Sequence, residues 1–384
     1  MSINVHGIRN KVKHITVTGE ITEEIHVLKF LEMLNDKGSV EVHVTFQDAS
    51  ILPSKIIDSI IGVKNYKRCY IYVAKHYLYT YMYKLGIQCR YIPKNFEEYP
   101  VNSLKAEDIE LELRKEDIMT FLKKINAKYG YDYTEYQLDS IMRRIKISMI
   151  RENTNNFYKF QKKVFEDYSV FEQLFLDFSV NTTKFFRDPE VFASLKDKIF
   201  PQLNIYPYIR IWCAGCSTGE EPYSLAILLK EAGLLHKTQI YATDINPYAV
   251  EEAKNGLYPK ADIEESIRNY RKATGKNSLM DYFELGEGYV KIDENLKKNI
   301  LFFQHSLLSE GIINEFQLVL CRNVLIYFNP SLQKRVLQYL SNSLDRNGFL
   351  VLEKGGGMLQ SGGYNYFNKY DDLNKIYQKK EKSI

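Results

Sequence analysis

The 384-residue chain is short of the residues that build several large classes of protein. It has one tryptophan, five cysteines and seven histidines, and no apolar run reaches the roughly eighteen residues of a membrane span. The N-terminal MSINVHGIRNKVK has no apolar stretch of the signal-peptide kind, so a cytoplasmic location without membrane insertion is expected. Cys69, Cys89, Cys213, Cys216 and Cys321 are too scattered for a disulfide framework and suit a reducing compartment. Cys213 and Cys216 form a C-x-x-C, but no second pair or nearby histidine completes a zinc set, so they read as small residues in a tight turn and no metal is expected. Charge of one sign is also scarce: 52 Lys and Arg against 48 Asp and Glu leave +4, no global field for nucleic acid, and no basic nucleic-acid motif occurs.

What the chain does have is a strand, a glycine-rich turn and a helix in Ile209 to Leu229, IRIWCAGCSTGEEPYSLAILL. Ile209 to Ala214 is a short apolar run of strand type, and the residues after Gly219 carry small and apolar side chains at helical spacing. A turn free of large side chains lets backbone N–H groups and a helix N-terminus approach a ligand, as in many nucleotide-binding α/β units. Glu220 and Glu221 open the helix, where they suit the dipole but would repel a phosphate, so an ammonium or sulfonium ligand is favoured. A second strand, Gln239 to Thr243, ends at Asp244, where ribose hydroxyls are gripped in dinucleotide folds. A cationic ribose ligand without phosphate points to S-adenosylmethionine (SAM).

Together with CSTGEEPYS, the runs NTTKFFRD upstream and CRNVLIYF downstream resemble the CheR-type chemotaxis-receptor glutamate O-methyltransferases over Ile118 to Leu352. The resemblance implies an α/β, Rossmann-like SAM-dependent methyltransferase domain with a small antiparallel β insertion, preceded by a helical domain. It also implies that Asn181, Thr183 and Arg187 line the cofactor and methyl-transfer site, that Glu220 meets the cofactor's amino acid end and Asp244 its ribose, and that Arg322 and Asn323 contact the cofactor. Tyr327 would face the substrate, with Arg187 and Tyr327 the catalytic pair. Ser306 and Leu307 stand where the family commonly has Asn-Leu beside the adenine, and a hydroxyl cannot present an amide's paired donor and acceptor. Glu353-Lys354-Gly355-Gly356-Gly357 replaces the family's usual Gly-His-Ser-Glu run.

Arg143, Arg144, Lys146 and Arg151 share one face of a helix expected over Tyr133 to Arg151, interleaved with Ile147 and Ile150. Such a face suits an acidic helical partner, and in the resembled family that partner is the chemoreceptor's glutamate-bearing cytoplasmic helical bundle. The alternative is that these cations pair within the chain.

Length predicts two or three domains. Residues 1–95 alternate strand and helix patterns, a small α/β regulatory or partner-binding domain; VHVTFQDASILPSKIIDSII resembles STAS domains, with Ser54 nearest their phosphorylatable serine, although a serine there is also a helix N-cap. Residues 96–114 read as a linker, 115–175 as the helical domain, and 176–384 as the methyltransferase domain, interrupted by a β insertion at about 255–299. The lysine-rich C-terminal end reads as a frayed tail. Two competing readings remain: carboxyl methylation of a different protein or small molecule, and a non-catalytic signalling adaptor.

Overall fold

The computed structural model describes residues 2–9, 12–19, 21, 24–34, 41–49, 51–64, 68–85, 87–91, 113–152, 154–179, 183–274, 278–286, 288–308, 314–354 and 363–381. Asn181, most of the expected linker and Gly355 to Gly357 lie outside them. The chain divides into two compact units. One comprises residues 1–101 together with 251–265 and 279–293; the other comprises the remainder.

The first unit opens with β1 (Ser2–Arg9), β2 (Val12–Thr18), α1 (Glu24–Leu34), β3 (Glu41–Phe46), α2 (Ser54–Lys64), β4 (Arg68–Val73), α3 (His76–Lys84) and β5 (Arg90–Tyr91). The strands form one sheet in the order β1-β2-β3-β4-β5, parallel except for the β1–β2 pair. Val42, Val44 and Phe46 are buried while their neighbours in β3 are not, the alternation of a strand with one covered face. Phe30 and Leu34 of α1, Ile56 and Ile60 of α2, and Leu78 and Met82 of α3 belong to the same core. Strand β1 was not expected from the sequence.

In the second unit α4 (Lys115–Tyr129), α5 (Leu138–Arg151), α6 (Phe157–Glu166) and α7 (Tyr168–Phe178) pack around Phe121, Ile145, Phe160 and Phe175. The helix expected from Tyr133 begins only at Leu138, because Tyr136 is drawn into an isolated antiparallel bridge with Phe328. The single helix expected over Asn155 to Asp177 breaks at Asp167, whose carboxylate caps α7 by accepting the Ser169 N–H.

Next come α8 (Pro189–Ser194), α9 (Phe200–Leu203), β6 (Ile209–Ala214), α10 (Glu220–Glu231), β7 (Thr238–Asp244) and α11 (Pro247–Asn255). They are followed by β8 (Leu257–Pro259), α12 (Ile263–Thr274), β9 (Phe283–Leu285), β10 (Tyr289–Ile292), α13 (Glu294–Lys297), β11 (Ile300–Gln304), β12 (Phe316–Cys321), α14 (Pro330–Asn342), β13 (Leu344–Leu352), β14 (Phe367–Asp371) and β15 (Ile376–Lys379). Seven strands form the main sheet in the order β11-β7-β6-β12-β13-β15-β14, antiparallel only at β15. The chain runs outward from β6 in both directions, so the crevice beyond the carboxyl ends of β6, β7 and β12 is the topological switch point where open α/β sheets take ligands. The frayed tail expected at the C-terminal end is shorter than its lysines suggest: β14 and β15 extend the sheet to Lys379, with Phe367, Ile376 and Tyr377 buried, and residues 382–384 lie outside the described residues.

The insertion's strands make a separate sheet, β8-β10-β9, that belongs to the first unit. Leu257 and Tyr289 are buried in that unit's core, each contributing roughly 1.5–3 kcal/mol if fully removed from water. Asn255 donates to the Leu52 carbonyl at 2.9 Å and accepts the Ser54 N–H at 3.2 Å, and the Tyr289 hydroxyl donates to the Asp58 carboxylate. The Ser54 amide at the start of α2 is thus held by an insertion residue 201 positions away.

Candidate active site

The turn after β6 is strained in a purposeful way. Gly215, Ser217 and Gly219 all have positive φ, at 82°, 50° and 98°. A Cβ on Gly215 would lie 2.3 Å from Val324 Cγ2, so only glycine fits. The N–H groups of Gly215 and Cys216 both donate to the Thr243 carbonyl at 2.8 Å, which cinches the turn to β7. Directly after, Asp244 accepts the Ser217 N–H and the Asn246 N–H at 2.8 and 2.9 Å. Burial raises its carboxyl above the usual range, while these N–H groups and that of Ile245 pull it back.

Two cavities meet over this turn, sharing Gly215, Ser217, Asn323 and Tyr327. The larger, about 770 Å³ of empty space, has Asp244, Ser306 and Leu307 on its walls among mostly apolar and aromatic side chains. The smaller is charged, with Thr183, Arg187, Glu221 and Arg322. One apolar slot with a carboxylate at its rim, joined to one ionic pocket, matches the two halves of SAM, a nucleoside and a zwitterionic amino acid. The Ser217 hydroxyl, which lines both cavities, is buried with no hydrogen-bond partner among the described residues, as expected of a group awaiting a ligand.

Arg322 is fixed rather than free. Its side chain is 1% exposed and donates to Glu221 at 2.8 Å, to Asp188 at 2.6 Å and to the Arg187 carbonyl at 2.9 Å, and it stacks over Phe192. Arg187 lies between Phe186 and Asp188, both at positive φ (55° and 56°), and the Phe186 N–H is held by Ser224 Oγ at 2.9 Å. Such backbone strain persists only where the surroundings over-determine it. Asn323, at φ 60°, is held through its N–H by Glu353 at 3.1 Å. Burial raises the Glu353 carboxyl.

Of the two acids that open α10, Glu220 is buried and accepts the Thr218 hydroxyl at 2.7 Å, whereas Glu221 lines the ionic cavity. Burial raises the Glu221 carboxyl against the pull of Arg322. The family resemblance had assigned Glu220 to the cofactor's amino acid end, whereas the acid on the cavity wall is its neighbour Glu221. Sequence reading also missed Tyr133, Tyr136, Phe178 and His305, all on the larger cavity. Tyr133 and Tyr136, three apart, had read as the start of a helix.

Tyr327 lines both cavities, and the Arg144 guanidinium lies 5.9 Å from its ring centroid. Burial raises the Tyr327 phenol, and Arg144 and Arg187 pull it down. The basic face of α5 divides in two. Arg151 grips Asp177 with two bonds of 2.8 Å, and Arg144 donates to the Asp177 carbonyl and to Ser140 Oγ. Arg143 and Lys146 make no hydrogen bond or ion pair among the described residues; Arg143 lines an open groove with Arg144, Asp139 and Ile147. The cysteines of the C-x-x-C are buried, and burial pushes both thiols up. Among the described residues no group of three or more His, Cys, Asp or Glu is arranged to hold a metal, and no helix is long and apolar enough to cross a membrane.

The model of the CheR methyltransferase SAM-binding domain matches residues 181–369. The Pseudomonas putida protein Cher3, named as a methyltransferase, is 42% identical over 236 residues, 62% of this chain and 86% of the relative. A chemotaxis protein methyltransferase of Listeria innocua is 29% identical over 252 residues, 65% of this chain and 93% of the relative. A chemotaxis protein methyltransferase of Vibrio parahaemolyticus is 35% identical over 183 residues, 45% and 64% of the two chains. A Rossmann-like sheet, a glycine turn cinched to an acid-ended strand and a two-part cavity stand where the family's SAM-binding model aligns, and the chain belongs to the CheR family of SAM-dependent methyltransferases.

Proposed function

We propose that this chain forms glutamate γ-methyl esters on the cytoplasmic helical bundle of a chemoreceptor, with SAM as methyl donor. The observation that carries this reading is the junction of the two cavities, where Tyr327 lines both and Arg187 lies on the ionic side. The names of the relatives from Listeria innocua and Vibrio parahaemolyticus support the chemotaxis setting.

In this reading Asp244 takes the ribose hydroxyls, Ser306 and Leu307 flank the adenine, and Asn181, Thr183 and Asn323 complete the cofactor's surroundings. Glu221, beside Glu220, is the acid available to the cofactor's ammonium, and Arg322 contributes by holding Glu221 and the Arg187 backbone in place. When bound, SAM supplies a methyl carbon made electrophilic by its sulfonium. A glutamate carboxylate, with an unperturbed pKa of about 4.3, is already ionised at neutral pH, so the chain needs no general base. What its residues do is orient and desolvate: Tyr327 closes the wall against water, and Arg187 steers the carboxylate with a planar, permanently charged fork.

Arg143 and Lys146, uncommitted among the described residues, with the exposed Ile147, are the groups offered to an acidic helical bundle. Arg144 and Arg151 support them from behind through Asp177. The four-helix segment acts as the docking domain and residues 176–384 as the catalytic domain. Residues 1–95 act as a STAS-like partner-binding domain, with Ser54 as its candidate modification site. All of this takes place in the cytoplasm.

The test is incubation of the purified protein with radiolabelled SAM and membranes from its own source, followed by base treatment. Label on a receptor-sized band, released as volatile methanol, is the expected outcome. Cofactor binding without labelled protein would refute the receptor assignment, and no binding would refute the enzyme.

A further inference from the structure

One wall of the larger cavity does not come from the seven-stranded sheet. It is built by Tyr133 and Tyr136, ahead of α5, and by Phe178 and Ser179, at the end of α7. The wall is tied to the loop that carries Tyr327: the Gln137 N–H donates to the Tyr327 carbonyl and the Asn329 N–H to the Glu135 carbonyl, both at 2.8 Å. Gln137 adds a side-chain bond to the Phe328 carbonyl at 2.9 Å. The rings meet edge to face, Tyr133 with Tyr136 at 5.1 Å, Tyr133 with Phe178 at 4.7 Å and Tyr136 with Phe328 at 5.1 Å. Ile245, Leu307 and Leu308 line the same cavity. Locked rings and aliphatic side chains around one slot suit a flat heteroaromatic ring.

Within this apolar frame the Tyr133 hydroxyl, like that of Ser217, is buried without a hydrogen-bond partner among the described residues. Tyr133 is 3% exposed. A buried hydroxyl left unpaired is destabilising unless a ligand or water completes its bond. Burial and the neighbouring Tyr136 and Tyr131 push its phenol up, so it remains a neutral O–H donor throughout the working pH range.

We propose that the Tyr133 hydroxyl donates a hydrogen bond to a ring nitrogen of the cofactor's adenine, which makes Tyr133 a base-reading residue contributed by the helical segment. This rests on the SAM reading of the site. It also supplies a polar contact to the base where Ser306 offers less than an amide would.

The test uses calorimetric titration of the full chain with S-adenosylhomocysteine and with its 1-, 3- and 7-deaza analogues, each lacking one ring nitrogen. Tyr133→Phe keeps the wall and should bind S-adenosylhomocysteine about tenfold more weakly, as for loss of one hydrogen bond to a buried acceptor. One deaza analogue should suffer a similar loss against the wild type and none beyond it against Tyr133→Phe. The variant should melt no lower than the wild type, because it removes an unpartnered group; a lower midpoint would mean the hydroxyl serves the fold and would overturn the assignment. Wild-type affinity in Tyr133→Phe, alongside weakened binding in Asp244→Ala, would overturn Tyr133 while leaving the cofactor reading intact. A wild-type chain that binds no S-adenosylhomocysteine would overturn both.

Discussion

Arg322→Ala is the most telling single change. Arg322 is the shared partner of two carboxylates, Glu221 and Asp188, and of the Arg187 carbonyl, with its side chain almost wholly out of water. Removing one member of a buried charge set leaves the others uncompensated, at a cost of about 3–5 kcal/mol. With a urea slope of about 3 kcal/mol per molar, the unfolding midpoint should fall by about 1 M or more. Trp212, the only tryptophan, is buried in β6 and donates to Thr243 at 2.9 Å, so its fluorescence reports on this sheet. The loss also depends on pH. Glu221 is already raised by burial, and without Arg322 its carboxyl rises further. An acid whose folded pKa lies above its unfolded value loses stability as pH climbs between the two, so lowering the pH toward that of free glutamate should recover part of the deficit. Neutralising the partners as well, with Glu221→Gln and Asp188→Asn on Arg322→Met, should cost less than the single change. A midpoint shift below about 0.3 M in Arg322→Ala, equivalent to under about 1 kcal/mol, would refute the clamp.

Gly215→Ala meets both a positive φ and Val324 at 2.3 Å, so it should destabilise by about 1–3 kcal/mol and weaken SAM binding, with Val324→Ala restoring part of the loss; an unchanged melting curve would remove the steric reading. Asp244→Ala should lower SAM affinity by about tenfold or more, and an unaltered isotherm would end the ribose assignment. Arg143→Glu combined with Lys146→Glu should abolish receptor methylation while leaving S-adenosylhomocysteine binding as it was; undiminished methylation would mean that receptors dock elsewhere.

How much of this was legible depended on whether neighbours in sequence or neighbours in space decide a residue's place. The β6 strand, its glycine turn and Asp244 could be read directly, since a six-residue apolar run, small residues and a strand-ending acid are local signals. Strand β1 was missed because its short, interrupted alternation gains meaning only from pairing with β2. Lysines between Phe367 and Tyr377 hid the last two strands, since long basic side chains can lie along a sheet edge with their charges in water. Glu220 and Glu221 are about 100° apart around a helix, and only the fold tells which one lines the ionic pocket. Tyr133 and Tyr136 carried no signal of a cavity wall, because the chain that straightens them lies at Tyr327 to Asn329.

The insertion that completes the N-terminal core has a practical consequence for anyone dividing this gene. A cut after residue 101 yields neither an intact front piece nor an intact remainder. The front piece would lack Leu257 and Tyr289, and α2 would lose the Asn255 side chain that holds its first amide. The remainder would carry those two side chains bare to water, an aggregation hazard in an otherwise sound enzyme. Front pieces and remainders exchanged between proteins should therefore work only when residues 251–265 and 279–293 travel with the front piece, although other sequence separates them from it.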